Sequence, residues 1–234
     1  MLLTKLRLQA FKHVQDVEID LSRTTVLVGT NNSGKSSVLQ GIHFSISAAV
    51  AQRGASGQTF SQDSLLYCPT GSFLSLRHGG GYRNQDNFSF LHLFAMVDGI
   101  EQEHTIRIYR GRNEGNLGCE RSGAPRLSQV VSDPDSLFSI YVPGLAGIPQ
   151  YEQLRSEGVI RRGVAGGDAN MLLRNVLLLI HEGNRQAELQ LLMRKVFPRF
   201  EATVHFNKRV DTNIAVSVSS PSSRQASNVV SNSW

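Results

Sequence analysis

The chain has 234 residues, of which 40% are hydrophobic and 18% charged, and this balance is typical of a soluble globular protein with a buried core. Its formal net charge of +5 permits an anionic partner such as nucleic acid, but no basic run is long enough to require one. It contains no apolar run of the ~20 residues that a membrane span needs, no signal-peptide core at its start, and two cysteines, Cys68 and Cys119, outside any metal-ligand spacing. We therefore expect a cytoplasmic protein with free thiols and no membrane contact.

Three strands and a helix are predicted at the start of the chain. Residues 2–10 and 16–21 alternate apolar and polar side chains, which is the pattern of a half-buried strand. Residues 24–28 are apolar more continuously, so they predict a strand that is buried on both faces. A helix follows over 36–51, with apolar residues spaced mainly to cover one side. Residues 54–64 read as a polar loop.

The segment between the third strand and the helix is Gly-Thr-Asn-Asn-Ser-Gly-Lys-Ser, from Gly29 to Ser36, and it fits the phosphate-binding pattern G-x-x-x-x-G-K-[ST]. In such a loop the glycines let successive backbone N–H groups turn toward phosphates, and the positive end of the helix dipole adds to the attraction. Lys35 is expected to reach the β- and γ-phosphates, and the Ser36 hydroxyl to bind Mg²⁺. The sequence therefore predicts a nucleoside triphosphate as ligand.

Antiparallel strands are predicted next, over 72–142. The side chains alternate from Phe88 onward, and Asp98-Gly99 is typical of a hairpin turn. Residues 110–126 are rich in glycine and poor in apolar side chains, so a loop is expected there. A last strand is expected over 137–142, which completes an antiparallel β-lobe.

A helical segment is predicted over 150–200. It contains a short helix over 151–162, an apolar helix over 169–181 that Asp168 would cap, and an amphipathic helix over 185–197. The apolar helix carries hydrophobic residues on nearly all sides, which predicts that partners bury it.

The chain ends in a predicted hairpin and a tail. Residues 201–218 alternate like a β-hairpin, and residues 219–234 are serine-rich without periodicity, which predicts a flexible tail. Residues 1–218 are thus expected to form one α/β domain, whose first part, 1–51, holds the opening strands, the loop and the helix.

Three features together resemble the N-terminal half of the ATP-binding-cassette-type ATPases of the SMC, RecF and OLD group, often labelled AAA-family ATPases. They are the form Gly-x-Asn-x-Ser-Gly-Lys-Ser-Ser, the two strands before the loop strand with Phe11-Lys12-His13 at their turn, and the β-lobe followed by a helix pair. The resemblance is strong over residues 2–50 and rests on the order of elements beyond them. It implies a P-loop NTPase fold in which two heads bind ATP between them, in DNA repair, chromosome maintenance, or defence against phage and plasmids.

The resemblance also implies roles for individual residues. Lys12 would reach the nucleotide phosphates, or it is a solvated lysine at a turn. The group uses a glutamine after the lobe strand to contact Mg²⁺ and the attacking water, and Gln150 and Gln153 are the candidates, with an ordinary surface position as the alternative for each. Ser36 would bind Mg²⁺. The nucleotide would be held by Gly29, Thr30, Asn31, Asn32, Ser33, Gly34, Lys35, Ser36 and Ser37.

The second half of such a head has no counterpart in the sequence. The group carries a signature helix, an apolar strand that ends in Asp-Glu, and a switch histidine, and none of these patterns occurs here. We therefore expect an incomplete head that lacks the C-terminal half of the core. It would bind Mg-ATP but would not hydrolyse it alone, and a homodimer partner or another polypeptide would complete it. DNA is a possible partner.

Two alternatives stay open at this point. The chain could be a non-hydrolysing nucleotide-binding module that uses ATP as a structural ligand in an assembly. It could also be a self-sufficient P-loop kinase or GTPase, which would need an acidic Mg²⁺ ligand at a strand end, and Asp98 and Asp211 are the candidates.

Overall fold

The chain divides into two compact units, Met1–Tyr141 and Val142–Trp234, which are described separately. The computed structural model describes residues 1–84, 86–113, 115–144, 147–219 and 227–228.

A six-stranded antiparallel sheet forms the centre of the first unit. Its spatial order is β2-β1-β4-β5-β6-β3. Along the central strands every second side chain is buried, for example Leu6 and Leu8 on β1 and Leu91 and Leu93 on β4, as the two-residue repeat of a strand requires. In chain order, the strands are β1 (Leu2–Phe11), β2 (Val14–Asp20), β3 (Thr59–Ser61), β4 (Ser89–Val97), β5 (Ile100–Arg110) and β6 (Asn116–Gly123).

Helix α1 (Lys35–Gly54) packs on the apolar face of this sheet, and the predicted helix is confirmed with a slightly longer span. Its close approach to β1 depends on Gly41, because a Cβ there would lie 2.6 Å from the Leu8 Cδ2 and 2.8 Å from the Phe11 Cδ1. The expectation that its apolar residues cover one side is wrong. Residues 43–49 are all buried, and the rings of Tyr67 and Tyr141 cover the side chain of His43.

A short helix, α2 (Pro125–Val131), completes the first unit and buries Leu127 and Val131 fully. Its proline stands in the first turn, where the missing N–H costs nothing.

The second unit combines three helices with a small sheet among the residues described. Its sheet has the order β7-β8-β9, and its core contains Leu178, Ile214 and Val216. The predicted hairpin over 201–218 is confirmed as the antiparallel pair β7 and β8. The elements are α3 (Glu157–Gly166), α4 (Leu173–Glu182), α5 (Gln186–Arg194), β7 (Glu201–His205), β8 (Ala215–Ser219) and β9 (Ser227–Asn228).

A buried polar cluster fixes the start of α4. The Glu152 carboxylate accepts the backbone N–H groups of Arg174 (2.9 Å) and Asn175 (2.7 Å), so it caps the first turn of the helix from another segment. The Arg174 guanidinium is also buried and donates to the carbonyl of Pro149 at 2.7 Å. These bonds hold residues 149–155 against the helix.

The predicted strand over 24–28 is wrong. These residues form no strand, and Val26 and Val28 are 74% and 90% exposed. The pattern of side chains gives a segment a preference for the strand conformation, but a strand also needs a neighbouring strand with which to pair its backbone. The sheet ends at β2 and β3, and residues 24–28 pair with neither.

The predicted β-lobe over 72–142 is corrected in two respects and confirmed in one. It is not a separate lobe, because β4 pairs with β1 from Leu2 to Gln9 and extends the first hairpin into one sheet. Residues 137–142 form no strand, since Phe138 and Tyr141 pack on the core instead of pairing with a sheet edge. The predicted turn at Asp98-Gly99 is confirmed, with φ of 52° and 83°.

Both predicted loops in the first unit contain regular structure. Residues 54–64 include β3, and residues 110–126 include β6 and the start of α2. Strands β3 and β6 contain few apolar side chains. They form because β6 pairs with the free edge of β5, and β3 pairs in turn with the free edge of β6.

The helical boundaries in the second unit also differ from those predicted. The first helix begins at Glu157 rather than 151, and the predicted helix over 169–181 starts as a 3₁₀ turn before α4. Asp168 makes no capping bond with its side chain, so the predicted cap is wrong. Glu152 supplies the cap instead. The predicted tail, 219–234, lies outside the described residues apart from Ser219 and β9.

Candidate nucleotide site

The predicted phosphate loop leads directly into α1. Gly34 precedes the helix with φ of +90°, a left-handed conformation that favours glycine, and its carbonyl accepts the Val38 N–H at 2.9 Å. No side chain caps this end of the helix. The N–H groups of the first turn have no acceptor within the helix, so they and the positive end of the dipole are available to an anion.

The Lys35 ammonium group closes the loop. It donates to the carbonyls of Gly29 (2.7 Å) and Thr30 (2.6 Å) and to the Ser33 hydroxyl (3.3 Å). All three acceptors are neutral. Phosphate oxygens are anionic and accept stronger hydrogen bonds, so they can compete for the same three donors. The Lys35 side chain is therefore held within the loop, and its contact with a phosphate stays a prediction.

The loop opens on a cavity of about 1020 Å³, which is at the upper end of the ~300–1,000 Å³ typical of small-molecule sites. Its charged lining is basic: Lys12, Lys35 and Arg77, with His13 beside them, and no carboxylate lies among the described lining residues. Such a lining favours a polyanion. The full lining is Lys12, His13, Asn31, Asn32, Ser33, Gly34, Lys35, Ser36, Ser37, Leu74, Ser75, Arg77, Gly79, Gly80 and Gly81.

Lys12 stands in the wall of this cavity and is fixed at three points. Its N–H donates to the Leu76 carbonyl (2.6 Å), its ammonium group to the Gln40 side chain (2.8 Å), and its carbonyl accepts from His78 Nδ1 (2.7 Å). Partial burial lowers the pKa of Lys12 below its ordinary value. This placement favours the phosphate-contacting interpretation over that of a solvated turn lysine, although the contact itself stays a prediction.

Sequence reasoning missed one part of the wall, the segment from Arg77 to Gly81. Arg77 donates to the carbonyls of Phe88 (3.1 Å) and His78 (2.9 Å), and the three glycines that follow His78 all have positive φ. The signal was present as Arg-His-Gly-Gly-Gly, a glycine run beside a basic residue. Its link to the phosphate loop depends on pairing between distant residues, which no local pattern shows.

The loop residues predicted to hold the nucleotide are brought together by the fold. Residues 31–37 line the cavity, including Ser36, the predicted Mg²⁺ ligand, and the carbonyls of Gly29 and Thr30 hold Lys35. Among the described residues, no group of three or more His, Cys, Asp or Glu side chains is placed to hold a metal ion. The role of the Ser36 hydroxyl as a Mg²⁺ ligand stays a prediction, and Mg²⁺ commonly completes its coordination with phosphate oxygens and water.

The remaining candidates lie elsewhere in the chain. Gln150 and Gln153 belong to the second unit, where their side chains are exposed and their carbonyls accept from Arg174 and Asn175, and their catalytic role stays a prediction. Asp98 forms an ion pair with Arg126 at the β4–β5 turn and does not line the cavity. Asp211, also in the second unit, accepts the N–H of residue 207 at 2.7 Å.

Comparison with known proteins supports a nucleotide-binding assignment for the start of the chain. A family model described as an AAA ATPase domain matches residues 1–54, which contain β1, β2, the phosphate loop and α1. No curated protein matches the chain. The matched part indicates a P-loop ATPase family, which generally binds ATP with Mg²⁺. In the part of the chain that the structure describes, no helix has the length and apolar character needed to cross a membrane.

Proposed function

We propose that the chain binds Mg-ATP through the phosphate loop, as the N-terminal part of an ATPase of the SMC, RecF and OLD group. The observation that carries this proposal is the cavity itself. The uncapped start of α1, the Lys35 ammonium group and two further basic side chains converge on one space that contains no carboxylate among its described lining residues. A triphosphate carries the negative charge that this arrangement attracts.

Hydrolysis would need groups beyond this cavity. Phosphoryl transfer depends on a residue that positions or activates the attacking water, and the cavity is lined by basic and neutral side chains. We propose that these groups come from a second copy of the chain or from another polypeptide. The cellular role that fits such an ATPase is DNA repair, chromosome maintenance, or defence against phage or plasmids.

The exposed segment over 24–28 supports the idea of a completing partner. Val26 and Val28 present apolar side chains beside the phosphate loop, while Leu27 between them packs toward the core. A segment whose backbone pairs with no strand of the described sheet is suited to pairing with a strand from a partner.

A fluorescent ATP analogue titrated in the presence of Mg²⁺ tests nucleotide binding. Lys35→Ala should weaken binding about 10- to 150-fold, because a hydrogen bond to a charged group contributes about 1.5–3 kcal/mol and each 1.4 kcal/mol is tenfold. Lys5→Ala is the matched control, since Lys5 lies on β1 in a surface pair with Glu18 and should leave affinity unchanged. Equal affinity of the wild-type chain and Lys35→Ala would rule out the proposed site.

Measuring phosphate release under the same conditions separates the proposal from its alternatives. We expect turnover near background at concentrations where the purified chain is a monomer. Robust hydrolysis by the monomer that Lys35→Ala abolishes would favour a self-sufficient P-loop enzyme. If the chain binds nucleotide but still shows no turnover after a completing polypeptide is added, ATP as a structural ligand would be favoured.

A further inference from the structure

We propose that the segment from Arg77 to Gly81 is a second phosphate-contacting element, which makes the site prefer a nucleoside triphosphate over a diphosphate. The proposal rests on the proposed function, because it assigns a task to another part of the same cavity. Arg77, Gly79, Gly80 and Gly81 line that cavity together with the phosphate loop.

This segment is fixed to the turn that carries Lys12. The His78 N–H donates to the Ala10 carbonyl at 3.1 Å, the Lys12 N–H donates to the Leu76 carbonyl, and Phe11 forms a β-bridge with Arg77. The neighbouring residue of the same turn, His13, lies 3.9 Å from the position of a Cβ on Gly34 in the phosphate loop. The two glycine-rich segments are thus connected through a hydrogen-bonded turn rather than through a long free loop.

Arg77 is suited to bind an anion in the cavity. Its Nε and one terminal nitrogen donate to the carbonyls of Phe88 and His78, which fix the plane of the guanidinium group. Five N–H donors are present on a guanidinium group, so at least two remain for a ligand. Among the described residues no carboxylate forms an ion pair with Arg77, and the two oxygens that accept from its guanidinium group are neutral carbonyls. A planar, positioned guanidinium group binds phosphate bidentately.

The glycine run supplies backbone donors beside this side chain. Gly79, Gly80 and Gly81 have φ of 76°, 113° and 80°, a region that other residues rarely adopt. Gly81 is also required by packing, since a Cβ there would lie 2.4 Å from the Leu74 carbonyl oxygen, and its N–H donates to the Arg77 carbonyl. The N–H groups of Gly79 and Gly80 donate to no acceptor within the described part of the chain. They remain available to a ligand.

The phosphate loop and the segment from Arg77 to Gly81 would contact different phosphates of the ligand. Lys35 and the start of α1 hold phosphates next to the loop, as the motif requires. A third phosphate adds charge and oxygens beyond those of a diphosphate, and Arg77 with the glycine N–H groups offers the additional donors. An ionic hydrogen bond of this kind corresponds to a preference for triphosphate of about tenfold to a hundredfold.

Competition binding with ATP, its β,γ-imido analogue and ADP, each with Mg²⁺, tests the inference. The wild-type chain should prefer both triphosphates at least about tenfold, and Arg77→Gln should reduce that ratio to near one while ADP affinity stays within a few-fold. Arg110→Gln is the control, because it removes an equal charge at an arginine outside the cavity and should keep the wild-type ratio. An Arg77→Gln variant with the wild-type ratio would overturn the inference.

Hydrogen exchange on the wild-type chain gives a second measurement that does not depend on the folding of a variant. The peptide over 76–82 should be protected more by the triphosphate analogue than by ADP, and equal protection would also overturn the inference. Equal affinity of the wild-type chain for ATP and ADP would remove the second phosphate-contacting element but leave the proposed nucleotide site intact. If the wild-type chain bound neither nucleotide, both proposals would fall.

Discussion

Replacing Gly41 by alanine should destabilise the first unit, because this residue sets the distance between α1 and the sheet. A Cβ at position 41 would lie 2.6 Å from Leu8 and 2.8 Å from Phe11, and both of these side chains are almost completely buried. Neither can move into free space. Overpacking of this kind costs about 1–3 kcal/mol, whereas the gain in helix propensity from glycine to alanine is at most about 1 kcal/mol. We expect a net loss of up to about 2 kcal/mol.

The matched control is Gly54→Ala at the other end of the same helix. A Cβ on Gly54 meets no atom within 4 Å, so this change should be neutral or stabilise the protein by up to about 1 kcal/mol. The two glycine substitutions are thus expected to have opposite signs. Hydrogen exchange of α1 peptides under increasing denaturant measures the effect within the first unit, independently of the second.

A Gly41→Ala variant as stable as Gly54→Ala would refute the packing described for α1. If α1 is displaced, the amide groups at its start move as well, so Gly41→Ala should also weaken Mg-ATP binding. Gly54→Ala, whose position is remote from the phosphate loop along the helix, should not.

Three further changes test separate parts of the structure. Burial lowers the pKa of His104 below its ordinary 6.5, so below that pH the unfolded chain takes up a proton that the folded chain does not. Unfolding free energy should therefore fall as pH drops from 7 to 5, by at most about 1.4 kcal/mol per unit for this group, and His104→Leu should flatten the slope. A hydrogen bond from Arg7 is the largest cause that lowers the pKa of Asp16 to about 2, and an NMR titration of Arg7→Met should show it return toward 3.8. Glu152→Ala should destabilise α4 by about 3–5 kcal/mol, because it leaves the buried Arg174 without its carboxylate partner. Hydrogen exchange measures this loss, and unchanged protection of α4 would contradict the role of Glu152 as its cap.

Local patterns predicted the elements whose stability depends on nearby residues. The alternation in β1 and β2, the glycine at 34 before α1, and the Asp98-Gly99 turn all act over a few residues, and each of these predictions is confirmed. The same reasoning failed where pairing is decided at long range. Residues 24–28 have the side chains of a strand but no sheet neighbour, whereas 116–123 lack such side chains and still pair along β5.

The candidate site shows the same difference between features that depend on nearby residues and features that depend on distant ones. The motif from Gly29 to Ser36 identified the loop, because its chemistry requires fixed residues at a fixed spacing. Arg77 and the glycines after it were missed, since their place in the cavity arises from hydrogen bonds between residues 76–78 and the β1–β2 turn, more than sixty positions away in the chain. A contact of that separation leaves no periodic signal in the sequence.

Backbone amide NMR of the chain with saturating Mg-ATP tests the central claim most directly. We expect ATP to shift the N–H signals of Gly34, Lys35 and Ser36 at the start of α1, and the same titration of Lys35→Ala to shift them little. Signals in this turn that do not respond to Mg-ATP, or that respond equally in the wild-type chain and in Lys35→Ala, would contradict the assignment of this cavity as the nucleotide site.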